Sequence, residues 1–171
     1  EIIEYYGTPK DKISVTYEGV SSEFVSTPEI HIDIPDHQPY VLHVGNVYPH
    51  KNIPALISAI KQLDGQVLLI LVCSRSVFTD RLLTLISKSG VEKWVQVKSY
   101  MPDADLHSLY QHALAYVFPS FIEGFGLPGL EAMQAGCPVV CSDIPVLHEI
   151  YGNAALYFDP HSTSDLSSTV N

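Results

Sequence analysis

Apolar and polar positions alternate in a regular way along the chain from Tyr40 onward. Six short apolar runs are separated by amphipathic segments of helix length: YVLHV, VLLILV, WVQV, ALAYVF, PVVC and ALYF. Strands that are apolar on both sides, with helices between them, are typical of a parallel sheet that helices cover on both faces. The pattern therefore predicts an α/β fold, with helices near residues 54–63, 78–89, 104–113, 127–135 and 145–151.

The first 39 residues follow a different pattern. A short helix-like piece opens the chain, and the stretch KISVTYEG follows, in which Ile13 and Val15 alternate with polar neighbours. This alternation, ended by Gly19, predicts a strand. Residues 21–39 carry three prolines and little periodicity, so they are interpreted as a linker.

Three of the predicted helices have recognisable first residues. Asn52 and Asp103 are of the residue types that cap helix starts, so we expect them to cap the helices over 54–63 and 104–113. Pro128 suits the first turn of the helix over 127–135, where a missing N–H costs nothing, and Gly136 is a typical stop.

The loop between the apolar run that ends at Phe118 and the helix over 127–135 predicts a ligand site. In doubly wound sheets, ligands bind beyond the carboxyl ends of the strands, which puts the loops after Val44, Val72, Val97 and Phe118 at one edge. The free N–H groups of a helix start attract phosphate, and glycines let a ligand approach the backbone.

Two carboxylates, Glu123 and Glu131, lie beside this anion site. A diphosphate alone would be repelled by them, whereas hydroxyl groups are good donors to carboxylates. The combination therefore predicts a ligand that contains both phosphate and sugar.

Composition narrows the function further. A chain of 171 residues fits one domain, and a net charge of −10 argues against a nucleic-acid partner or an anionic-membrane surface. No apolar run approaches the roughly 20 residues of a membrane-spanning helix. The three cysteines form no metal or disulfide pattern, which favours a reducing, cytosolic setting, and the histidine spacings predict no metal site.

The stretch around Glu123 and Glu131 carries a family resemblance. The two glutamates flank GFGLPGL and are followed by EAMQAGCPVVCSDIP, which resembles the donor-site signature of the retaining glycosyltransferases of family four. The resemblance implies the C-terminal half of a two-domain GT-B fold, with a Rossmann-like sheet. On this basis residues 1–39 are the end of an N-terminal domain and the interdomain linker, and residues 40–171 are the nucleotide-sugar-binding domain, truncated at both ends.

The resemblance also assigns roles to residues of the first loop. VGNVYPHKN is similar to the family's first donor-site loop, which makes Gly45 a donor-binding residue and Lys51 the cation for the leaving diphosphate. Asn46 occupies a donor-site position where the family often has a basic residue, and Arg75 is a candidate to compensate. A solvated surface position is the alternative for Lys51.

The remaining site residues follow from the same resemblance. Glu123 is placed on the donor sugar and Glu131 on the ribose hydroxyls. Tyr100 and Met101 are candidates to hold the base, with ordinary packing as an equal alternative. The diphosphate would contact the loop and helix start formed by Gly124, Phe125, Gly126 and Leu127.

The function implied is transfer of a hexosyl group, with mannosyl among the candidates, from a nucleotide-diphosphate sugar, with retention and without metal or other cofactor. A saccharide or lipid-linked acceptor would bind through the missing N-terminal domain, so the fragment alone should be inactive. The expected location is cytoplasmic, with a position at the inner face of the membrane left open. The alternatives are another GT-B enzyme, such as an epimerase or phosphorylase, and an inactive nucleotide-sugar-binding or scaffolding domain.

Overall fold

The structure, a computed structural model, describes residues 2–21, 38–74 and 77–171. Within these residues six strands form one parallel sheet in the order β3-β2-β1-β4-β5-β6. The strands are β1 Tyr40–Val44, β2 Leu68–Val72, β3 Val95–Lys98, β4 Ala115–Phe118, β5 Val139–Ser142 and β6 Leu156–Phe158. Each predicted apolar run from Tyr40 onward contains or overlaps one of these strands, so the predicted parallel α/β fold is confirmed.

Helices cover both faces of the sheet. They are α2 Ile53–Gln62, α3 Val77–Ser89, α4 Asp103–His112, α5 Leu127–Gln134, α6 Pro145–Tyr151 and α7 Thr163–Val170, whereas α1 Ile2–Tyr6 has no buried residue. One core contains apolar residues of α2, α3 and α7, and a second core contains residues of α4, α5 and α6. The five predicted helices between 54 and 151 therefore form within one residue of their expected bounds.

The strand β2 shows why these apolar runs become central strands. All five residues of LLILV are buried. Successive side chains of a strand point to opposite faces, and Leu69 and Leu71 enter one core while Leu68 and Ile70 enter the other. Burying each such side chain contributes roughly 1.5–3 kcal/mol, so a run that is apolar at every position is most stable between two covered faces.

The strand order creates a crevice at one point of the sheet. The strand β1 lies between β2 and β4. The chain leaves β1 for α2 on one face and leaves β4 for α5 on the other face. Ligands of open α/β sheets bind where the direction of connection reverses in this way, beyond the carboxyl ends of the strands. The loops that follow β1 and β4 flank this crevice.

The predicted strand in KISVTYEG is wrong. Residues Lys10–Lys12 form a 3-10 turn, and residues 13–20 are in neither helix nor strand. Val15 and Tyr17 are 72% and 63% exposed. Alternation alone cannot make a strand without a neighbour to pair its backbone groups, and none of the described strands pairs with this segment. The short helix predicted at the start is confirmed as α1, whereas most of the predicted linker, residues 22–37, lies outside the described residues.

Both predicted caps are also wrong. Asn52 precedes α2, but its side chain makes no capping bond and instead donates from Nδ2 to the Pro160 carbonyl at 2.9 Å. Asp103 is the first residue of α4, after an extended Pro102. Its carboxylate lies in the first turn, where a negative charge complements the helix dipole.

Candidate functional site

Two loops meet at the crevice between β1 and β4. The loop after β1 folds into a 3-10 turn, Pro49–Lys51, and the backbone N–H of Phe121 in the loop after β4 donates to the His50 carbonyl at 2.8 Å. The Lys51 Nζ lies 2.6 Å from Glu123 Oε1, and these side chains are only 17% and 10% exposed. Lys51 is therefore not a solvated surface lysine, and the crevice holds a partly buried ion pair.

The backbone at Asn52 sets the direction of Lys51. Asn52 has a φ of 53°, in the left-handed region, which ends the 3-10 turn and starts α2 at once. Asparagine tolerates this region better than most residues. The hydrogen bond from its side chain to Pro160 fixes the turn, so Lys51 projects over the end of β4, with Nζ 5.1 Å from the centre of the Phe118 ring.

The start of α5 forms the other side of the crevice. Gly126 precedes the helix with a φ of 100°, and its carbonyl accepts the Gly129 N–H at 3.1 Å. A Cβ on Gly126 would lie 3.0 Å from Leu147 Cδ2 and 3.1 Å from Tyr151 Cζ, so both conformation and space require glycine. Pro128 has no N–H and the Gly129 N–H is used by Gly126, so the Leu127 amide is the group of this helix start that can face an anion.

Glu131 lies one turn further along α5 and is half-buried. The Tyr110 hydroxyl donates to its Oε2 at 3.3 Å. Burial raises the pKa of Glu131 above its ordinary value, the Tyr110 hydrogen bond opposes this rise in pKa, and the charge of Asp103 adds to it. The carboxylate is thus partly desolvated and oriented, which suits an acceptor of hydroxyl hydrogen bonds.

A cleft of about 170 Å³ opens at the carboxyl ends of β1, β2 and β3. Tyr100 lines it with an 81% exposed side chain, whereas Met101 packs against the core under α4. Met101 thus both packs against the core and lines the cleft. The cleft is lined by Val44, Gly45, Val72, Cys73, Ser74, Tyr100, Met101, Asp103 and Leu106.

The structure brings most of the predicted site residues to one edge of the sheet. Gly45 lies in the cleft, Lys51 contacts Glu123, and Gly126 starts α5. Asn46 and Gly124 are exposed and Phe125 and Leu127 are half-buried. Arg75 lies outside the described residues.

His43 lies beneath this edge. It is fully buried, its Nδ1 lies 2.9 Å from the Val117 carbonyl, and its Nε2 has no hydrogen-bond partner among the described residues. Burial lowers the pKa of His43 to about 4, with a smaller contribution from the Lys51 charge.

Tyr151 is a residue of the site that the sequence did not reveal. It lies at the end of α6, and its hydroxyl donates to the Gly126 carbonyl. Tyrosine at the end of an amphipathic helix looks like any core aromatic, so no local pattern distinguishes it.

The described residues, 2–21, 38–74 and 77–171, lack both metal-ligand clusters and membrane-spanning helices. They contain no cluster of three or more histidine, cysteine or acidic side chains arranged to hold a metal ion. None of their helices combines the length and apolar character needed to cross a membrane.

The fold recurs in solved glycosyltransferases. A glycosyltransferase from Rickettsia africae superposes with a TM-score of 0.87 at 20% identity over 99% of this chain and 48% of that one. HepE from Anabaena, solved with UDP and glucose, gives 0.79 at 22% identity over 96% of this chain and 48% of that one. These likenesses define a Rossmann-like α/β domain of the GT-B class.

Sequence comparison identifies the family. The chain belongs to the family Glycosyl transferases group 1, whose model matches residues 29–171. It is 37% identical to O-antigen chain mannosyltransferase B of Escherichia coli, over 99% of this chain and 47% of that protein. It is 35% identical to O-antigen chain mannosyltransferase RfbU of Salmonella typhimurium, over 99% and 46%. The chain thus spans about half the length of these relatives.

Proposed function

We propose that this chain binds a nucleoside-diphosphate hexose at the crevice between β1 and β4, and that the protein of which it forms the donor-binding part transfers the hexosyl group to a saccharide acceptor. The observation that carries the proposal is the partly buried pair of Lys51 and Glu123 at the topological switch point. Family membership supports the reaction class.

The ion pair suggests how the donor engages the site. In the free chain the ammonium and the carboxylate compensate each other at 2.6 Å. A diphosphate carries more negative charge than one carboxylate, so it attracts Lys51 and releases Glu123. The freed carboxylate then accepts hydrogen bonds from hydroxyl groups of the sugar.

The same groups serve the transfer step. The anomeric C–O bond to the diphosphate breaks, and its electron pair remains on the diphosphate oxygen. Lys51 and the backbone amides near Phe125, Gly126 and Leu127 stabilise this growing charge. The acceptor oxygen forms the new bond to the anomeric carbon on the same face, with retention, and its proton passes to the departing diphosphate. No step requires a metal, so a chelator should leave the rate unchanged.

The nucleoside occupies the opposite end of the crevice. Glu131, held by Tyr110, accepts hydrogen bonds from the ribose hydroxyls. The base enters the cleft beside Tyr100, whose exposed ring is available for stacking. This assignment uses each of the two carboxylates for a different sugar ring.

Mannose is the hexose that the relatives favour. The two proteins that are 37% and 35% identical are named as O-antigen chain mannosyltransferases, which supports a mannosyl donor and a growing polysaccharide acceptor. Acceptor recognition belongs to residues beyond this chain, and we place the protein in the cytoplasm, where nucleotide sugars are available.

A second candidate function is an inactive nucleotide-sugar-binding domain. It is favoured by Asn46, exposed at a position where the resemblance leads us to expect a basic residue, and by the compensation of Lys51 by Glu123. Substituting Lys51 by methionine in the full-length protein separates the two, because an inactive module has no transferase rate to lose.

Calorimetric titration of the chain with GDP, UDP and ADP tests the proposal. We expect one nucleotide to bind selectively and Glu131→Ala to weaken it about tenfold or more, because lost hydrogen bonds to a charged group are worth about 1.5–3 kcal/mol. Glu92→Ala is the matched control, since Glu92 is an exposed carboxylate just before β3, at the opposite edge of the sheet. Equal binding by wild type and Glu131→Ala, or no binding even by the full-length protein, would contradict the proposal.

A further inference from the structure

The hydroxyl of Tyr151 contacts the turn that starts α5. Tyr151 is buried, and its hydroxyl donates to the Gly126 carbonyl, a residue 25 positions earlier in the chain. The same carbonyl accepts the Gly129 N–H at 3.1 Å. One carbonyl oxygen therefore receives a donor from its own helix and a donor from α6.

The tyrosine ring also fits closely against two glycines. A Cβ added to Gly129 would lie 2.5 Å from Tyr151 Cζ and 3.0 Å from Cε2, and a Cβ on Gly126 would lie 3.1 Å from Cζ. Contacts of this length are too short for any side chain, so the ring occupies the space that residue 129 would otherwise fill. Gly129 and Tyr151 are thus a matched pair.

We propose that Tyr151 is a positioning residue that holds the phosphate-binding turn Gly126–Gly129. This inference rests on the proposed function, because the turn carries the Leu127 amide, one of those assigned to the diphosphate. By fixing the Gly126 carbonyl toward α6, the hydroxyl keeps the peptide plane between Gly126 and Leu127 in place. Because a trans peptide holds its C=O and N–H in opposite directions, the Leu127 N–H then points away from α6.

The environment of Tyr151 suits a permanent donor. Burial raises the pKa of its hydroxyl well above the ordinary value, and nearby Cys141 and Glu123 act on its pKa in the same direction. The hydroxyl therefore keeps its proton at neutral pH and remains a donor. The acceptor of this hydroxyl is a backbone carbonyl of the proposed site, 25 positions earlier in the chain.

Tyr151→Phe in the 171-residue chain tests the role of the hydroxyl by two measurements. The first is backbone amide hydrogen exchange at Gly129 and Leu130, measured without ligand. The second is calorimetric affinity for GDP, UDP and ADP. We expect exchange to quicken and nucleotide affinity to fall, each by about three- to tenfold, the range expected for one lost hydrogen bond.

Tyr157→Phe is the matched control. Its hydroxyl also donates to backbone carbonyls, of Gly152 at 2.7 Å and Leu147 at 3.2 Å, but it has no bond to the Gly126 turn. It should change neither the exchange of the α5 amides nor the nucleotide affinity. Equal effects of the two substitutions, or no effect of Tyr151→Phe on exchange, would overturn the proposal.

A double-mutant cycle tests the matched pair independently. Gly129→Ala should lower the thermal midpoint strongly in the wild-type background and add little in a Tyr151→Ala background, because the clash is then absent. Additive effects would contradict the pairing. Absence of nucleotide binding by both the chain and the full-length protein would contradict the proposed function alone, since the exchange measurement and this cycle still report whether Tyr151 holds the turn.

Discussion

At the scale of single residues, the site depends on how two opposite charges share a small volume. Lys51 and Glu123 are both more than four-fifths buried and lie 2.6 Å apart. Breaking such a pair by removing one partner leaves a partly desolvated charge that seeks a new partner. A phosphate group is the obvious new partner for Lys51.

The ion pair leads to a prediction with opposite signs for two ligands. Glu123→Gln should tighten binding of the free nucleoside diphosphate, because Lys51 no longer has a competing carboxylate. The expected gain is about two- to fivefold, which corresponds to the upper part of the roughly 0.2–1 kcal/mol that ion pairs in contact with solvent contribute. The same change should remove the extra affinity that the hexose gives to the nucleotide sugar. Calorimetry with both ligands measures the two effects.

The control for this prediction is Lys51→Met, which should weaken both ligands. If Glu123→Gln lowered the affinity for the nucleoside diphosphate as much as Lys51→Met does, the hypothesis that Lys51 exchanges Glu123 for the diphosphate would be wrong.

At the scale of elements, α5 is defined by the glycines at its ends. Gly126 before the helix and Gly136 after it have φ angles of 100° and 79°, so a side chain is strained at either. They differ in space, because a Cβ on Gly136 meets nothing within 4 Å whereas one on Gly126 meets Leu147 and Tyr151. The start of the helix is therefore packed and its end is open.

Alanine substitutions at the two glycines should separate strain from packing. Gly136→Ala should lower the free energy of unfolding by about 1 kcal/mol, the usual cost of a left-handed residue with a side chain. Gly126→Ala should cost about 2–4 kcal/mol, since the steric conflict with α6 is added to the strain. Chemical denaturation of both variants measures the difference. Equal losses would mean that α6 yields freely and does not fix the turn.

The element scale also shows what local sequence can predict. The runs YVLHV and LLILV and the helix over 127–134 follow from apolar periodicity and from proline and glycine at the expected places. KISVTYEG has the alternation of a strand, but no described strand pairs with it. Asn52 is of a residue type that caps helices, but its side chain donates to the carbonyl of Pro160, 108 positions away. In both cases the deciding contact is distant in sequence.

At the scale of the whole molecule, one sheet buries a histidine at its centre. His43 is completely inaccessible, and burial lowers its pKa from 6.5 to about 4. Between pH 6.5 and 4, His43 is therefore protonated in the unfolded chain and neutral in the folded chain. The contribution of His43 to the free energy of unfolding is fully present above pH 6.5 and is lost as the pH falls toward 4.

This linkage predicts the shape of a pH profile. Between pH 6.5 and 4 the free energy of unfolding should fall with a contribution from His43 of up to about 1.4 kcal/mol per pH unit. His43→Phe should be less stable at neutral pH, because Val117 loses its partner, but its profile should be shallower by that amount. Denaturant unfolding at several pH values measures the two slopes.

Carboxylates titrate in the same window, so the comparison must be between variants. His161→Phe, at an exposed histidine, should give a profile parallel to that of the wild type. A His43→Phe profile that is also parallel would contradict the assignment of the buried neutral histidine.

The sequence by itself determined the parallel α/β fold, the bounds of most elements and the family. These depend on apolar periodicity, on proline and glycine at the ends of elements, and on a signature that is contiguous in sequence. It also placed the candidate loops at one edge, since parallel strands end together. Only the tertiary structure decided that Lys51 contacts Glu123, 72 positions away, and that Tyr151 holds the Gly126 turn. Such contacts depend on how helices and loops pack, and packing is a property of distances between residues that no local pattern encodes.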